Sequence, residues 1–245
     1  RVFPILVEGD EDSAVLFRLI SVQWVDGRSA LGQAVEQVQV AVVRQMGREL
    51  AALPQTRIPF EWVFVPPGEF VMGRDDQALK SGYEDEAPQH LVYLDEFYIS
   101  RVPVTNYQYN VFMQSTRHLP PHHWSKGQIP DGKKQHPVVN ITWHDALAFC
   151  RWAGVCLPTE AQWEKAARGT DGRIYPWGND EPDKDIANVR HAEATDNVGD
   201  TTPVGIYPNG ASPYGVLDIT GNVWEWVADW YSKDYYAHSP IRNPT

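Results

Sequence analysis

The chain has 245 residues, and its 21 basic and 32 acidic side chains give a formal charge of −11. That balance, with no basic block, argues against nucleic-acid phosphates or anionic lipid as partners, and no apolar stretch approaches the ~20 residues of a membrane span. Hydrophobic residues make up 42%, with 10 Trp and 11 Tyr, which excludes a wholly disordered chain, while two Cys cannot build a disulfide framework and make a reducing, cytoplasmic setting the default.

Residues 2–7 form a short apolar run closed by Glu8-Gly9-Asp10, which predicts a buried strand and a turn. Residues 19–25 repeat the pattern before Asp26-Gly27. Over residues 30–50, Leu31, Val35, Val38, Val42 and Met46 keep the three-and-four spacing of an amphipathic helix. Such a β-β-α fragment over residues 1–50 is too small to hold a core alone. Residues 51–60 read as a linker. From Glu61 onward aromatic, Gly and Pro residues become dense, and short helices are interspersed with strands and turns.

Three helix starts share one grammar. Thr105 precedes Gln108, Thr142 precedes Asp145 and Thr159 precedes Gln162, each at the spacing of a capping box, with Asp145 a shorter substitute for the usual Glu or Gln. Gly154 and Gly169 stand where the second and third helices should stop. Val71, Met72, Phe97, Ile99 and Val102 read as strand hydrophobes. Trp143, Phe149, Trp152 and Trp163 fall on helices, as core rings or, in the minority reading, a carbohydrate-stacking platform. Short helices between long loops indicate an α+β domain. Internal repeats and low-complexity tracts are missing from the sequence.

The N-terminal phrases "RVFPILVEGD" and "FRLISVQWVD" resemble the C-terminal end of a bacterial TIR domain, although a generic α/β edge would read the same way. The catalytic glutamate of NAD-cleaving TIR domains would lie upstream of Arg1, so that resemblance implies no such activity here. A second resemblance covers the remainder. "PPGEFVMG" (66–73), "FYISRVPVTNYQY" (97–109), "HPVVNITWHDALAFCRWAG" (136–154), "LPTEAQWEKAARG" (157–169), "YPWGN" (175–179) and "YGVLDITGNVWEWVADWY" (214–231) resemble the formylglycine-generating enzyme, or sulfatase-modifying factor, family. It implies a C-type-lectin-like fold over residues 61–245 with little regular secondary structure, stabilised by bound calcium.

Two calcium sites follow from the resemblance. The first would use the Asn188 side chain, the Val189 carbonyl, the Asp196 carboxylate and the Val198 carbonyl. The second would use Asp218, the Gly221 and Val223 carbonyls and Glu225. Calcium suits this donor set because it accepts six to eight hard oxygens in irregular geometry. On spacing alone, Asp196 and Asp218 read first as turn residues and Glu225 as a solvated strand charge; the resemblance reverses that order.

Enzymes of the family oxidise a sulfatase cysteine to formylglycine with oxygen and a copper ion held by two thiolates. That pair lies after a Gly-Gly-Ser-Trp phrase, which does not occur before Thr245, so copper is expected only if such cysteines follow. Cys150 and Cys156 lack the pair's spacing; Cys150 reads as a small core hydrophobe, and a bond or shared metal between the two is the alternative. His118, His122 and His123 flank Pro120-Pro121 without a nameable fourth zinc ligand. The sequence therefore reads as a calcium-stabilised module that recognises a protein or small-molecule ligand inside a larger bacterial protein. The alternatives are the N-terminal part of a true oxidase, and a scaffold with no ligand.

Overall fold

The computed structural model describes residues 58–74, 86–189 and 199–245, together with the backbone of residues 6–7. The chain divides into two compact units, residues 1–8 with 59–245, and residues 9–58. Apart from Leu6–Val7 the TIR-like segment lies outside the described residues, as do the linker up to residue 57 and the calcium candidates Asp196 and Val198.

Two-residue alternation builds the strands. In β3 (Gly68–Met72) Phe70 and Met72 are buried, and in β4 (His90–Leu94) Val92 and Leu94 are, so the two strands pair with their apolar faces on one side. β2 (Trp62–Val65) and β1 (Leu6–Val7) flank β5 (Phe97–Ser100) in a three-stranded antiparallel sheet, with Leu6 opposite Ile99 and Val63 also opposite Ile99. β5 ends at Ser100, whose hydroxyl donates to the Val102 carbonyl at 2.7 Å. Val102 therefore sits in the bend after the sheet and not in a strand, because that turn takes up its backbone.

The three helices announced by capping boxes form, while the helix expected over residues 30–50 lies outside the described residues. α1 (Asn106–Thr116), α2 (Trp143–Ala153) and α3 (Glu160–Arg168) each carry a complete capping box, on Thr105, Thr142 and Thr159. Asp145 is long enough for its part: its carboxylate accepts from the Thr142 amide at 2.8 Å and the Thr142 hydroxyl at 2.7 Å. Its other oxygen meets His118 Nε2 at 2.8 Å, a partner 27 residues away that local grammar could not reveal. Gly154 closes α2 in the left-handed region, and Gly169 closes α3 at φ 70°.

Two apolar clusters hold the domain. α1 and α2 share Tyr109, Phe112 and Phe149, with Tyr109 and Phe149 stacked at 6.1 Å and Phe112 edge-on to Phe149 at 5.6 Å. The other cluster sets Ala161, Ala166 and Ala167 of α3 against Phe70, Met72 and Val92, small side chains letting the helix lie close to the strands. The polar side of α3 pins both ends of β3. Fully buried Lys165 donates to the Pro66 carbonyl at 2.9 Å and the Gly68 carbonyl at 2.8 Å. Beyond the strand, Glu164 accepts from the Gly73 amide at 2.9 Å while Arg168, paired with Glu164, donates to the Gly73 carbonyl at 3.0 Å. Buried polar groups are satisfied in this way without loosening the contact.

Not every helical tryptophan is core. Trp143, Trp152 and Trp163 are only half-buried, and the fully buried indole is Trp124, in a loop. The half-buried three pack against the two clusters, and the indole N–H groups of Trp143 and Trp163 donate to the Val227 carbonyl at 2.9 Å and to Glu225.

Candidate metal and ligand site

The segment after residue 214 makes three left-handed turns within five residues, at Asp218 (φ 57°), Gly221 (φ 92°) and Asn222 (φ 55°). Asn and Asp tolerate this backbone because short polar side chains bond locally, but Gly221 is required sterically. A Cβ there would stand 2.7 Å from the Asn188 carbonyl oxygen. That close approach joins the two loops. The Asn222 amide donates to the Asn188 carbonyl at 2.8 Å, and the Asn188 side-chain nitrogen donates to the Asp200 carbonyl at 2.9 Å and to Asn222 Oδ1 at 3.3 Å. Asn222 also exchanges bonds with the Thr202 backbone, accepting at 2.9 Å and donating at 3.2 Å.

Of the eight sequence-derived ligands, Asn188, Val189, Asp218, Gly221, Val223 and Glu225 lie in the described residues, and Asn188 and Val189 pack against Gly221. The Gly221 carbonyl is drawn back on the Val223 amide at 2.6 Å, leaving one lone pair for any other partner. Buried Asp218 accepts from the Gly205 amide at 2.5 Å, and burial raises its carboxyl above the usual range. Glu225 is raised further, to about 8, by desolvation of its carboxyl and by the Asp218 charge, with the Trp163 indole opposing the shift. Two desolvated acids repel one another here. Among the described residues, groups of three His, Cys, Asp or Glu side chains fit to hold a metal do not occur. A cation here would have to draw on carbonyls.

Four residues downstream, Asp229 accepts from the Glu160 amide at 2.7 Å, placing an acid at the positive end of α3. Glu160 in turn accepts from the Tyr236 hydroxyl at 3.1 Å. These contacts shape a cavity of about 570 Å³ between the start of α3 and residues 225–236. The resemblance put Asp218, Gly221 and Glu225 in one candidate site and did not assign Asn222, Asp229 or Trp163 to it. The Gly221-Asn222 pair was a visible turn signal; the roles of Asp229 and Trp163 depend on partners more than sixty residues distant.

The two cysteines are both free thiols. Cys150 is fully buried on α2 and burial pushes its thiol well above the usual range, and no disulfide joins it to half-buried Cys156. Cys156 packs against the cluster of α3 and the strands.

A sparse α+β frame whose loops carry buried acids and carbonyls defines the class. The chain belongs to the sulfatase-modifying factor enzyme 1-like domain family, which residues 48–243 match. It is 35% identical to the formylglycine-generating enzyme of Streptomyces coelicolor, covering 74% of this chain and 73% of that protein. It is 37% identical to the serine/threonine-protein kinase Pkn1 of Chlamydia trachomatis, covering 74% of this chain but 30% of the kinase. Among solved structures it is similar to PvdO from Pseudomonas aeruginosa, with a TM-score of 0.62, 27% identity and 74% of each chain covered. No helix among the described residues is long and apolar enough to cross a membrane.

Proposed function

We propose that these residues form a calcium-stabilised recognition module of C-type-lectin-like architecture, using the family's frame without its copper chemistry. The observation that carries the non-catalytic part is the state of the thiols. Copper chemistry needs two accessible thiolates, whereas Cys150 is sealed in the core with its thiol raised. The residues present do not fit a copper centre.

They do fit calcium. Asp218 and Glu225 are desolvated acids that repel each other, and a divalent cation would turn that repulsion into attraction. The Gly221 and Val223 carbonyls would complete the second site. Asn188, with its amide nitrogen spent on Asp200 and Asn222, would offer its oxygen to the first, together with Val189, Asp196 and Val198. The ion's role would be to hold the loops as one surface.

The direct test is incubation of the chain with a Cys-x-Pro-x-Arg peptide, copper and oxygen, followed by mass spectrometry. Unchanged peptide is expected, and conversion to the aldehyde would overturn the recognition reading. A second reading, in which these residues belong to an oxidase that takes copper cysteines from outside them, draws on the identity to the Streptomyces enzyme. The same assay on the full gene product separates the two.

A further inference from the structure

Residues 200–202 hold both Asn188 and Asn222, through the Asp200 carbonyl and the Thr202 backbone. That stretch is itself tied to residues 133–136 by a cluster of side chains. The Lys133 ammonium donates to Asp200 Oδ2 at 2.7 Å and to the Thr201 carbonyl at 3.4 Å. Buried His136 places Nδ1 2.9 Å from the Thr201 hydroxyl and 3.4 Å from the same ammonium. An ammonium has only donors, so Nδ1 is the accepting nitrogen and the ring is neutral, with its proton on Nε2. The 133–136 side is the fixed one. The Asn106 amide donates to the His136 carbonyl and its side chain to the Lys133 carbonyl, each at 2.8 Å, and the Tyr107 amide donates to the Lys134 carbonyl at 3.1 Å.

A proton on Nδ1 changes this arrangement. It puts a second positive charge 3.4 Å from Lys133 and turns the nitrogen from acceptor into donor. The Thr201 hydroxyl then accepts from His136 and turns its own proton toward Asp200 Oδ1, 3.4 Å away. Among the described residues, the charged groups facing His136 are Lys133 from its own loop and Asp200 from the loop opposite, while α1 presents neutral Asn106. Burial and the Lys133 charge hold the imidazole below its ordinary value, with Asp200 and Thr201 opposing. A histidine lowered in the fold contributes stability that is whole above the ordinary 6.5 and is lost as pH falls through the folded value.

We propose that His136 is an acid-sensitive latch on this junction: a proton on Nδ1 evicts Lys133 from Asp200 and loosens residues 200–202, and with them the seats of Asn188 and Asn222. The latch acts without a metal, so it goes beyond the calcium reading and is tested on metal-stripped chain. Imidazole nitrogen NMR and amide hydrogen exchange, followed from pH 8 to pH 5, read it together. At pH 8 His136 should carry its proton on Nε2, and its titration midpoint should lie below 6.5. Through that midpoint, protection of the Thr202 and Asn222 amides, corrected for the intrinsic pH dependence of exchange, should fall at least about threefold. In Lys133→Met the midpoint should rise by about half a pH unit or more, because the ammonium is gone and Asp200 remains. In His136→Asn, whose side-chain oxygen can still accept from Lys133, the loss of protection tied to that midpoint should vanish. A proton on Nδ1 at pH 8, a midpoint at or above 6.5, or protection that falls equally in His136→Asn would each overturn the proposal. Should His136→Asn not fold, an unmoved midpoint in Lys133→Met overturns it alone. Failure of the calcium reading leaves all of these readouts untouched.

Discussion

Gly221 is tightly constrained by its backbone and by its neighbour. Its φ of 92° and the 2.7 Å approach of the Asn188 oxygen to a would-be Cβ leave no room for a side chain. Gly221→Ala should therefore destabilise the domain by more than about 1 kcal/mol, readable as a lower urea midpoint. Glu225→Gln has a less obvious outcome. Glutamine can still accept from the Trp163 indole, while the desolvated charge disappears. Metal-free protein at pH 8 should become more stable with this change, and the stabilisation by calcium should shrink to that of the first site, so scanning calorimetry with and without the ion reads both effects. Of these residues, Gly221 and Glu225 were legible because a motif marks them. Asn222 and Trp163 act through partners that sequence distance hides, on Thr202 and Glu225.

Helices and strands differed in how far they could be read. A capping box is written within four residues, so Thr105, Thr142 and Thr159 could be assigned from sequence, and the structure supplies each reciprocal bond. Thr159→Ala should cost about 1 kcal/mol. Because α3 orients Glu160 and Trp163, calcium stabilisation should also fall in this variant and not in Thr105→Ala, which melting with and without the ion checks. Strand pairing is non-local. Nothing in Leu6–Val7 announces β5 as its partner, and Val102 looked like a strand residue until Ser100 was seen closing the turn. Ring packing was half legible: Phe149 is core, and Phe149→Ala should cost about 3–5 kcal/mol, whereas Trp143 and Trp163 are half-buried against the clusters with their N–H groups on Val227 and Glu225.

For the molecule as a whole, pH and calcium act on the same acids. A carboxyl raised in the fold holds its proton more tightly there than in the unfolded chain. Its contribution favours folding in acid and is lost as pH climbs from the ordinary 4.5 through about 8, the value for Glu225. Metal-free protein should accordingly melt at progressively lower temperature across that window. Calcium requires the deprotonated form, so its stabilising effect should grow over the same range. At a hundredfold excess over its Kd, a bound ion contributes about 2.7 kcal/mol, or roughly 5–10 °C for a domain of this size. The decisive experiment is scanning calorimetry of metal-stripped protein at pH 8, first in chelator and then in millimolar calcium. The expected result is a melting temperature that rises with calcium, returns on renewed chelation and rises by less in Glu225→Gln, which keeps only the first site. Superimposable melting curves for the unaltered chain in calcium and in chelator would contradict the calcium-built surface on which the account stands.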